Sequence, residues 1–519
     1  MWKLKIAKGD DPYLYSINNF VGRQIWEFDP HAGTPDERQQ VEDARQCYRN
    51  NRIKGVHPGA DLLMRMQLIK ENGIDVLSIP PVRLREDEEV NYEAVTTAVK
   101  KAIRLNRAIQ AHDGHWPAEF SGPIFYTPPL LIVMYISGTI NTHLTKEHKT
   151  EMIRYIYNHQ NEDGGWGFHI EGHSTMMGSA LSYVALRLLG EGVDDGNGAV
   201  ERARKWILDH GGATSIPSWG KAYLSRSELL RDSIDGRGIG IEQHMRVKCS
   251  GCMNGKGAIH FHQSTFWLFP KVLPFHLAKM WCFCRTTYMP MSYLYGRKYH
   301  GPITDLITQI RQEIHTIPYD EINWNKQRHN CCKEDLYVSH SKVQDLLWDS
   351  LHYLSEPLFK YWPFTKLRER GIKRALDLLR YNSQETRYIA SACVEKSLQM
   401  MCWWAENPNG DEFKHHLASV PDYLWLAEDG MKMQGCGSQV WDCTLATQAI
   451  IASNMVEEFG DSLKKAHIFI KDSQIKQNSS GDFSKMYKPF TKGSWTFSDL
   501  DQGWGVSDCT AEALKVTVY

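Results

Sequence analysis

Gln160-Asn-Glu-Asp163-Gly164-Gly-Trp166 restates, fifty residues on, the pattern of Gln110-Ala-His-Asp113-Gly114-His-Trp116, and both match Q-x-x-D-G-x-W. Each copy follows a stretch of helically spaced apolar residues. The Asp-Gly pair ends one helix, and the Trp behind it can stack on the next. A more degenerate third copy is expected over Gln477 to Gly481-Asp482-Phe483. Repeats of about 20 to 50 residues mark helix pairs that stack on their neighbours, so a helical toroid or solenoid is expected. Helical spacing also covers Tyr92 to Ala111, Lys146 to His159, Met177 to Gly190, Gly198 to His210, Asp345 to Tyr353, Arg368 to Tyr381, Val394 to Glu406 and Thr444 to Phe459. Strand-like alternation is rare, and the fold class expected is all-α.

Composition narrows the function. The 519 residues carry 60 Lys and Arg against 61 Asp and Glu, a formal charge of −1. Nucleic acid and anionic membrane surfaces therefore lack an electrostatic basis as partners. The aromatic content (17 Trp, 23 Tyr, 18 Phe) calls for a repeat built on Trp or an aromatic-lined site. The opening Met1-Trp-Lys-Leu-Lys-Ile has no apolar h-region, so no signal peptide is expected and the twelve cysteines are expected to be free thiols. The longest apolar run, Leu130 to Ile136, is far short of the roughly 20 residues of a spanning helix, although monotopic contact stays open. The segment from Arg226 to Ser264 is rich in Gly and lacks a helical period; it is expected to be an irregular insertion.

Several chemistries lack an anchor. Gly172-His-Ser174-Thr-Met176 misses the second glycine of a nucleophile elbow, Gly236-Arg-Gly238-Ile-Gly240 does not fit a dinucleotide fingerprint, and no phosphate-binding loop occurs. His169 and His173 stand at i, i+4, but Glu171 is displaced from the H-E-x-x-H position. Cys249 and Cys252 with His260 and His262 supply only half of a normal zinc spacing. No D-D-x-x-D is present to hold magnesium. No metal and no cofactor are expected.

Two motifs keep chemical interest. Trp504-Gly-Val-Ser507-Asp508-Cys509-Thr510-Ala-Glu512 places Ser507 as a candidate N-cap and Asp508 in the first turn, where the helix dipole favours a carboxylate. Trp495, Phe497 and Trp504 are expected to surround that acid. A near copy, Trp441-Asp442-Cys443-Thr444, makes a packing role equally available. The second motif is Met280-Trp281-Cys-Phe283-Cys-Arg285, which composition alone could assign to core.

Taken together, Met1-Trp-Lys-Leu-Lys-Ile, Asn161-Glu-Asp-Gly-Gly-Trp166, Ile216-Pro-Ser-Trp-Gly220, Met280-Trp-Cys-Phe-Cys-Arg285, Ala427-Glu-Asp-Gly-Met-Lys-Met433 and Ser507-Asp-Cys-Thr-Ala-Glu512 resemble plant-type 2,3-oxidosqualene cyclases, the triterpene synthases of the terpene cyclase/mutase family. The resemblance implies two α/α barrels with QW repeats, the second incomplete here. It divides the chain into an N-terminal segment (1–95), a first barrel (96–365, with the insertion at 226–265) and a partial second barrel (366–519). It implies an isomerase that cyclises (3S)-2,3-oxidosqualene without metal or nucleotide, at the cytosolic face of the endoplasmic reticulum or a lipid droplet. Asp508 matches the family's proton donor and Cys509 the thiol that hydrogen-bonds it. Trp441, Phe497, Trp281 and Phe283 match cavity aromatics, whose π faces suit a migrating cation that carboxylates would quench.

At the position of Phe283, sterol-forming members carry His and many pentacyclic triterpene synthases Tyr. Phe accepts no proton, so early deprotonation there is disfavoured and a pentacyclic, β-amyrin-like alcohol is expected. Two departures stand out. The stretch from Arg226 to Thr265 replaces a W-S-G-x-N-P-x-P-P-E-x-W segment, and the family continues well beyond the position of Tyr519. Two other readings stay open: a truncated or mis-spliced, non-catalytic scaffold, and a zinc-dependent prenyltransferase-like barrel for which no ligand set is found.

Overall fold

In the computed structural model both Q-x-x-D-G-x-W copies form one and the same turn. The described residues are 1–518 without 53–60, 231–263, 275, 325, 328–329, 337–345, 347–349, 351–357 and 360. In the first copy the Gln110 amide donates to the Gly114 carbonyl (2.8 Å) and the Trp116 indole N–H to the Asn106 carbonyl (2.8 Å). In the second, Gln160 donates to Gly164 (2.8 Å) and Trp166 to Ile156 (2.7 Å). Gly114 and Gly164 take φ of 104° and 93°, which explains why glycine stands there.

A third such turn exists, but outside the stretch from Gln477 to Phe483. Gln474 donates to the Gly493 carbonyl (3.1 Å) and the Trp495 indole to the Ile470 carbonyl (2.7 Å), with Gly493 at φ 86°. The backbone repeats as well: Gly114 N–H donates to Ala111 O, Gly164 to Asn161 O and Gly493 to Ile475 O, at 3.1, 3.0 and 2.7 Å. An intervening loop parts Gln474 from Gly493, which hides the motif from a fixed-spacing search.

In chain order the principal helices are α1 (Tyr92–Ala108), α2 (Lys146–Asn158), α3 (Met176–Leu189), α4 (Asp195–Asp209), α5 (Cys282–Arg297), α6 (Phe364–Glu385), α7 (Cys393–Glu406), α8 (Gln439–Ala452), α9 (Gly460–Asp472) and α10 (Ser507–Val518). The chain is mostly helical, as the all-α expectation has it. Apolar periodicity located most of these helices but not α5 or α9, and α8 stops earlier than the expected Phe459: Asn454 adopts φ 58° and breaks it. Most of the 226–265 segment, the Cys249, Cys252, His260 and His262 set, and most of Asp345 to Tyr353 lie outside the described residues.

Two compact units divide the chain. One comprises Met1–Ser121, Ser383–Ser391 and Lys414–Tyr519. Its core gathers Ile103, Trp116, Val440, Cys443, Phe469, Trp495 and Cys509. Two antiparallel hairpins attach to it: β1 (Trp2–Ile6) with β2 (Gln24–Phe28), and β5 (Leu424–Ala427) with β6 (Gly430–Met433). In β1 the side chains of Trp2, Leu4 and Ile6 are buried and Lys3 and Lys5 are not, a period of two that W-K-L-K-I already spells. The Ala427-Glu-Asp-Gly430 motif is the turn of the second hairpin. There the Glu428 carboxylate accepts from the N–H groups of Asp61 (3.0 Å) and Leu62 (2.6 Å), so this motif holds scaffold together.

The other unit comprises Gly122–Asn382 and Ala392–Phe413. Its centre is α3, every residue of which is buried. A helix apolar all round needs this, and its one charge is neutralised in place: Arg187 pairs with Glu313 through Nε (2.9 Å) and Nη2 (3.0 Å), and Tyr183 donates to the same carboxylate (2.9 Å). At the start of α3 the buried Asp335 accepts from Met176 N–H (2.6 Å) and Met177 N–H (3.0 Å). The short pair β3 (Trp166–Gly167) and β4 (Ser174–Thr175) leads into it.

Candidate functional site

In the first unit the Trp495–Ser498 run binds the starts of both α8 and α10. Val440 N–H donates to the carbonyls of Phe497 (3.1 Å) and Ser498 (2.9 Å), and Trp441 N–H to Phe497 O (3.3 Å). These are first-turn donors, which find no acceptor inside their own helix. On the α10 side Val506 N–H donates to Trp495 O (2.9 Å), Trp495 N–H to Thr510 Oγ1 (3.1 Å) and Thr510 Oγ1 to Val506 O (2.6 Å). The Val506 carbonyl also takes the Thr510 N–H (3.1 Å), so Val506 occupies the cap position. Ser507, expected as the cap, opens the first turn, and its hydroxyl lies 3.4 Å from Asp508 Oδ1.

This clasp sets two rings against each other. Trp441 and Phe497 meet at a centroid distance of 5.9 Å and an angle of 58°, both half-buried. Phe120, 41 % exposed, adds a third ring 6.5 Å from Phe497. Its backbone is held by Gln434 Oε1 (3.1 Å) and by the Gly435 N–H (3.0 Å). Phe120 stands far from Phe497 in the chain, and no motif links the two.

The acid and thiol of α10 part ways. Asp508 is exposed, and the expected aromatic enclosure does not form around it: the Trp495 indole is spent in the core on Ile470, and Trp504 is buried beneath the Lys488 ammonium at 5.4 Å. Cys509 is fully buried beside Trp495 and Cys443, and burial, then the Asp508 charge, pushes its thiol up.

A second carboxyl in this region fits the description of an enclosed acid better. Asp442, next to Trp441 in the first turn of α8, accepts from Ser438 Oγ (2.6 Å), and burial pushes it up to about 6. Its charge acts on the thiols of Cys436, Cys443 and Cys509; burial pushes Cys436 up to about 12. The W-D-C-T copy that a packing role would explain therefore carries a titratable group as well.

In the second unit Trp281 and Phe283 form an edge-on pair 4.8 Å apart at the start of α5. The Trp281 carbonyl accepts from Arg285 N–H (2.9 Å), whose guanidinium reaches Ala278 O (2.8 Å), so the pair is fixed by the first turn. Trp281 is 41 % exposed. Among the described residues no three His, Cys, Asp or Glu side chains converge as metal ligands. His173 contacts the Glu334 carbonyl (3.0 Å). The described cysteines are free thiols, and no described helix is long and apolar enough to cross a membrane.

Comparison with known proteins adds to this geometry. Residues 99–231 match the squalene-hopene cyclase N-terminal domain. The whole chain is 38% identical to an alpha-onocerin synthase of Lycopodium clavatum, covering 65% of that protein. Some 80% of the chain is 39% identical to a cycloartenol synthase of Dictyostelium discoideum, covering 55% of it, and 79% is 36% identical to a lanosterol synthase of Homo sapiens, covering 52%. The chain thus spans between about half and two thirds of the length of these relatives.

Proposed function

We propose that the chain belongs to the oxidosqualene cyclase family and acts in cyclising (3S)-2,3-oxidosqualene to a triterpene alcohol, a reading that the similarity to the three synthases supports. The Trp441–Phe497 pair, in the same unit as the Asp508 helix, carries this reading. Asp508 as a carboxylic acid gives its proton to the epoxide oxygen, the C–O bond opens towards the more substituted carbon, and the neighbouring double bond supplies electrons to the cation. Ring faces stabilise that cation by roughly 0.5–2 kcal/mol each while offering no base to quench it. Cys509, Trp281 and Phe283 are proposed to serve the acid and the cavity as their counterparts in the family do.

Phe283 supports a pentacyclic, β-amyrin-like product, because its ring accepts no proton. The substrate is an apolar lipid, which supports monotopic residence at the cytosolic face of the endoplasmic reticulum or on a lipid droplet. Expression in cells that accumulate oxidosqualene, with the products resolved by mass spectrometry, tests the whole reading. A pentacyclic alcohol that disappears in Asp508→Asn is the expected result. Turnover unchanged in Asp508→Asn eliminates the acid role, and cycloartenol as sole product overturns the product class. One observation favours a second reading, a scaffold without turnover: Asp508 lies exposed rather than enclosed. Absence of any cyclised product from a folded chain is its signature.

A further inference from the structure

Three of the four residues from Arg387 to Ala390 hold left-handed backbone without being glycine: Arg387 at φ 48°, Tyr388 at 61° and Ala390 at 72°. Each such residue costs roughly 1–2 kcal/mol, and strain of this kind persists only where the surroundings over-determine it. Here they do. Ser419 Oγ donates to the Tyr388 carbonyl (2.8 Å), the Tyr423 hydroxyl donates to the Ala390 carbonyl (3.1 Å), and the Tyr388 ring stacks on His415 at 4.5 Å.

The strained loop aims Arg387 at the turn Leu500–Gln502, which joins the Trp495–Ser498 run to the cap of α10. Arg387 Nε donates to the Asp501 carbonyl (2.8 Å) and Nη2 to the Leu500 carbonyl (3.0 Å), while the Gln502 amide donates back to the Ser391 carbonyl (3.3 Å). A Cβ on Gly503 would stand 2.2 Å from the Glu385 carbonyl, so turn and loop meet backbone to backbone. Phe497 and Asp508 stand on either side of the turn that this loop holds.

The grip sits in a buried charge cluster that does not balance. Arg23 pairs with Asp422 through Nε (2.8 Å) and Nη2 (3.2 Å), and Arg387 Nε lies 3.8 Å from Asp501 Oδ1. Asp499 adds a third carboxyl, whose Oδ1 accepts the Gln502 N–H (3.1 Å). Asp499, Asp501 and Arg23 are buried, and the side chains of Arg387 and Asp422 are 10 % and 12 % exposed. Of the other groups whose charge reaches the two guanidiniums, Glu385 has the Lys488 ammonium at 3.9 Å, and Asp11 and Tyr15 are exposed. Three carboxyls thus face two guanidiniums, and an unpaired buried carboxylate is costly enough to hold a proton instead. Burial, and then the Asp501 charge, raises the proton affinity of Asp499.

We propose that Arg387 is a positioning residue of the cyclisation site: it sets the Leu500–Gln502 turn, and through it the Phe497 ring and the start of α10, while the cluster of Asp422, Asp499 and Asp501 keeps one proton. The reaction served rests on the cyclase reading above; the hold on the turn does not.

Hydrogen exchange of the full chain, read by mass spectrometry, tests the hold without turnover. In Arg387→Met the peptides carrying Val440, Trp441, Val506 and Thr510 should exchange about tenfold faster at about pH 7, as the loss of a hydrogen bond from a charged donor implies, while α1 peptides stay unchanged. In the wild type the same peptides should loosen, beyond the intrinsic effect of pH, between about pH 7 and about pH 9, and in Asp499→Asn, which has no proton to lose, they should not. Purified protein given oxidosqualene adds the link to chemistry: Arg387→Met should lower kcat about tenfold with KM little changed, because Arg387 acts through the turn. A uniform rise in exchange across the unit, clasp peptides unchanged in Arg387→Met, an alkaline response surviving in Asp499→Asn, or an unchanged kcat each overturns the proposal. A wild type without turnover overturns the cyclase reading instead, and the exchange pattern alone then decides whether Arg387 sets the turn.

Discussion

The Phe497 carbonyl accepts the N–H groups of Val440 and Trp441, at 3.1 and 3.3 Å, and so brings the Phe497 ring to 5.9 Å from that of Trp441. The positions of two side chains proposed to face a cation thus rest on backbone hydrogen bonds at a helix start. Phe497→Ala keeps those bonds and removes only the ring. Turnover is expected to fall by about tenfold, in line with about 1 to 2 kcal/mol of lost cation–π stabilisation, while the melting temperature shifts little. Product assays paired with thermal melts check this, and equal losses in both would assign the ring to packing.

Glycine-to-alanine changes at the three Q turns should rank by the neighbouring helix. All three positions carry positive φ, which costs an alanine about 1–2 kcal/mol. Added to this is the clash with a carbonyl, at 2.2 Å for Gly114, 2.8 Å for Gly164 and none within 4 Å for Gly493. Chemical denaturation should place Gly114→Ala as most damaging and Gly493→Ala as least. Equal losses would mean that strain alone governs these sites.

Asp442 should make stability depend on pH. Its carboxyl is raised to about 6 in the folded chain from an ordinary 3.8, so between these values the folded chain holds a proton that the unfolded chain has released. The stabilisation is full below about 4 and is lost as pH rises to about 6. Urea midpoints of the wild type and of Asp442→Asn, compared at both ends of that window, should agree near pH 4 and diverge towards pH 6, where the wild type falls below the variant. A parallel pair of profiles would contradict the assignment.

Arg187 and Glu313 form a buried pair, and breaking it from one side leaves a charge without its partner. Arg187→Met alone should cost about 3–5 kcal/mol. The double change Arg187→Met with Glu313→Met should recover most of that loss, because no buried charge then remains. Equilibrium unfolding of the single and double variants decides, with a fully additive double variant as the contrary result.

The sequence by itself determined most of the helices, through apolar spacing, though not α5 or α9, and two of the three Q turns, through a glycine and a tryptophan at fixed distance. It also carried the resemblance to the oxidosqualene cyclases, in motifs that survive as strings. Only the tertiary structure decided the third turn, because a loop separates Gln474 from Gly493 by 19 positions where the other copies need four. It also decided which members of the SDCTAE motif face outwards, since Asp508 and Cys509 are neighbours in sequence yet one is exposed and the other enclosed. Burial is a property of what packs around a helix, not of the string of residues within it. The same holds for Asp442, whose raised proton affinity comes from walls that other segments supply. It holds for the Trp441–Phe497 pair as well, which exists because one loop's carbonyl meets the first turn of α8.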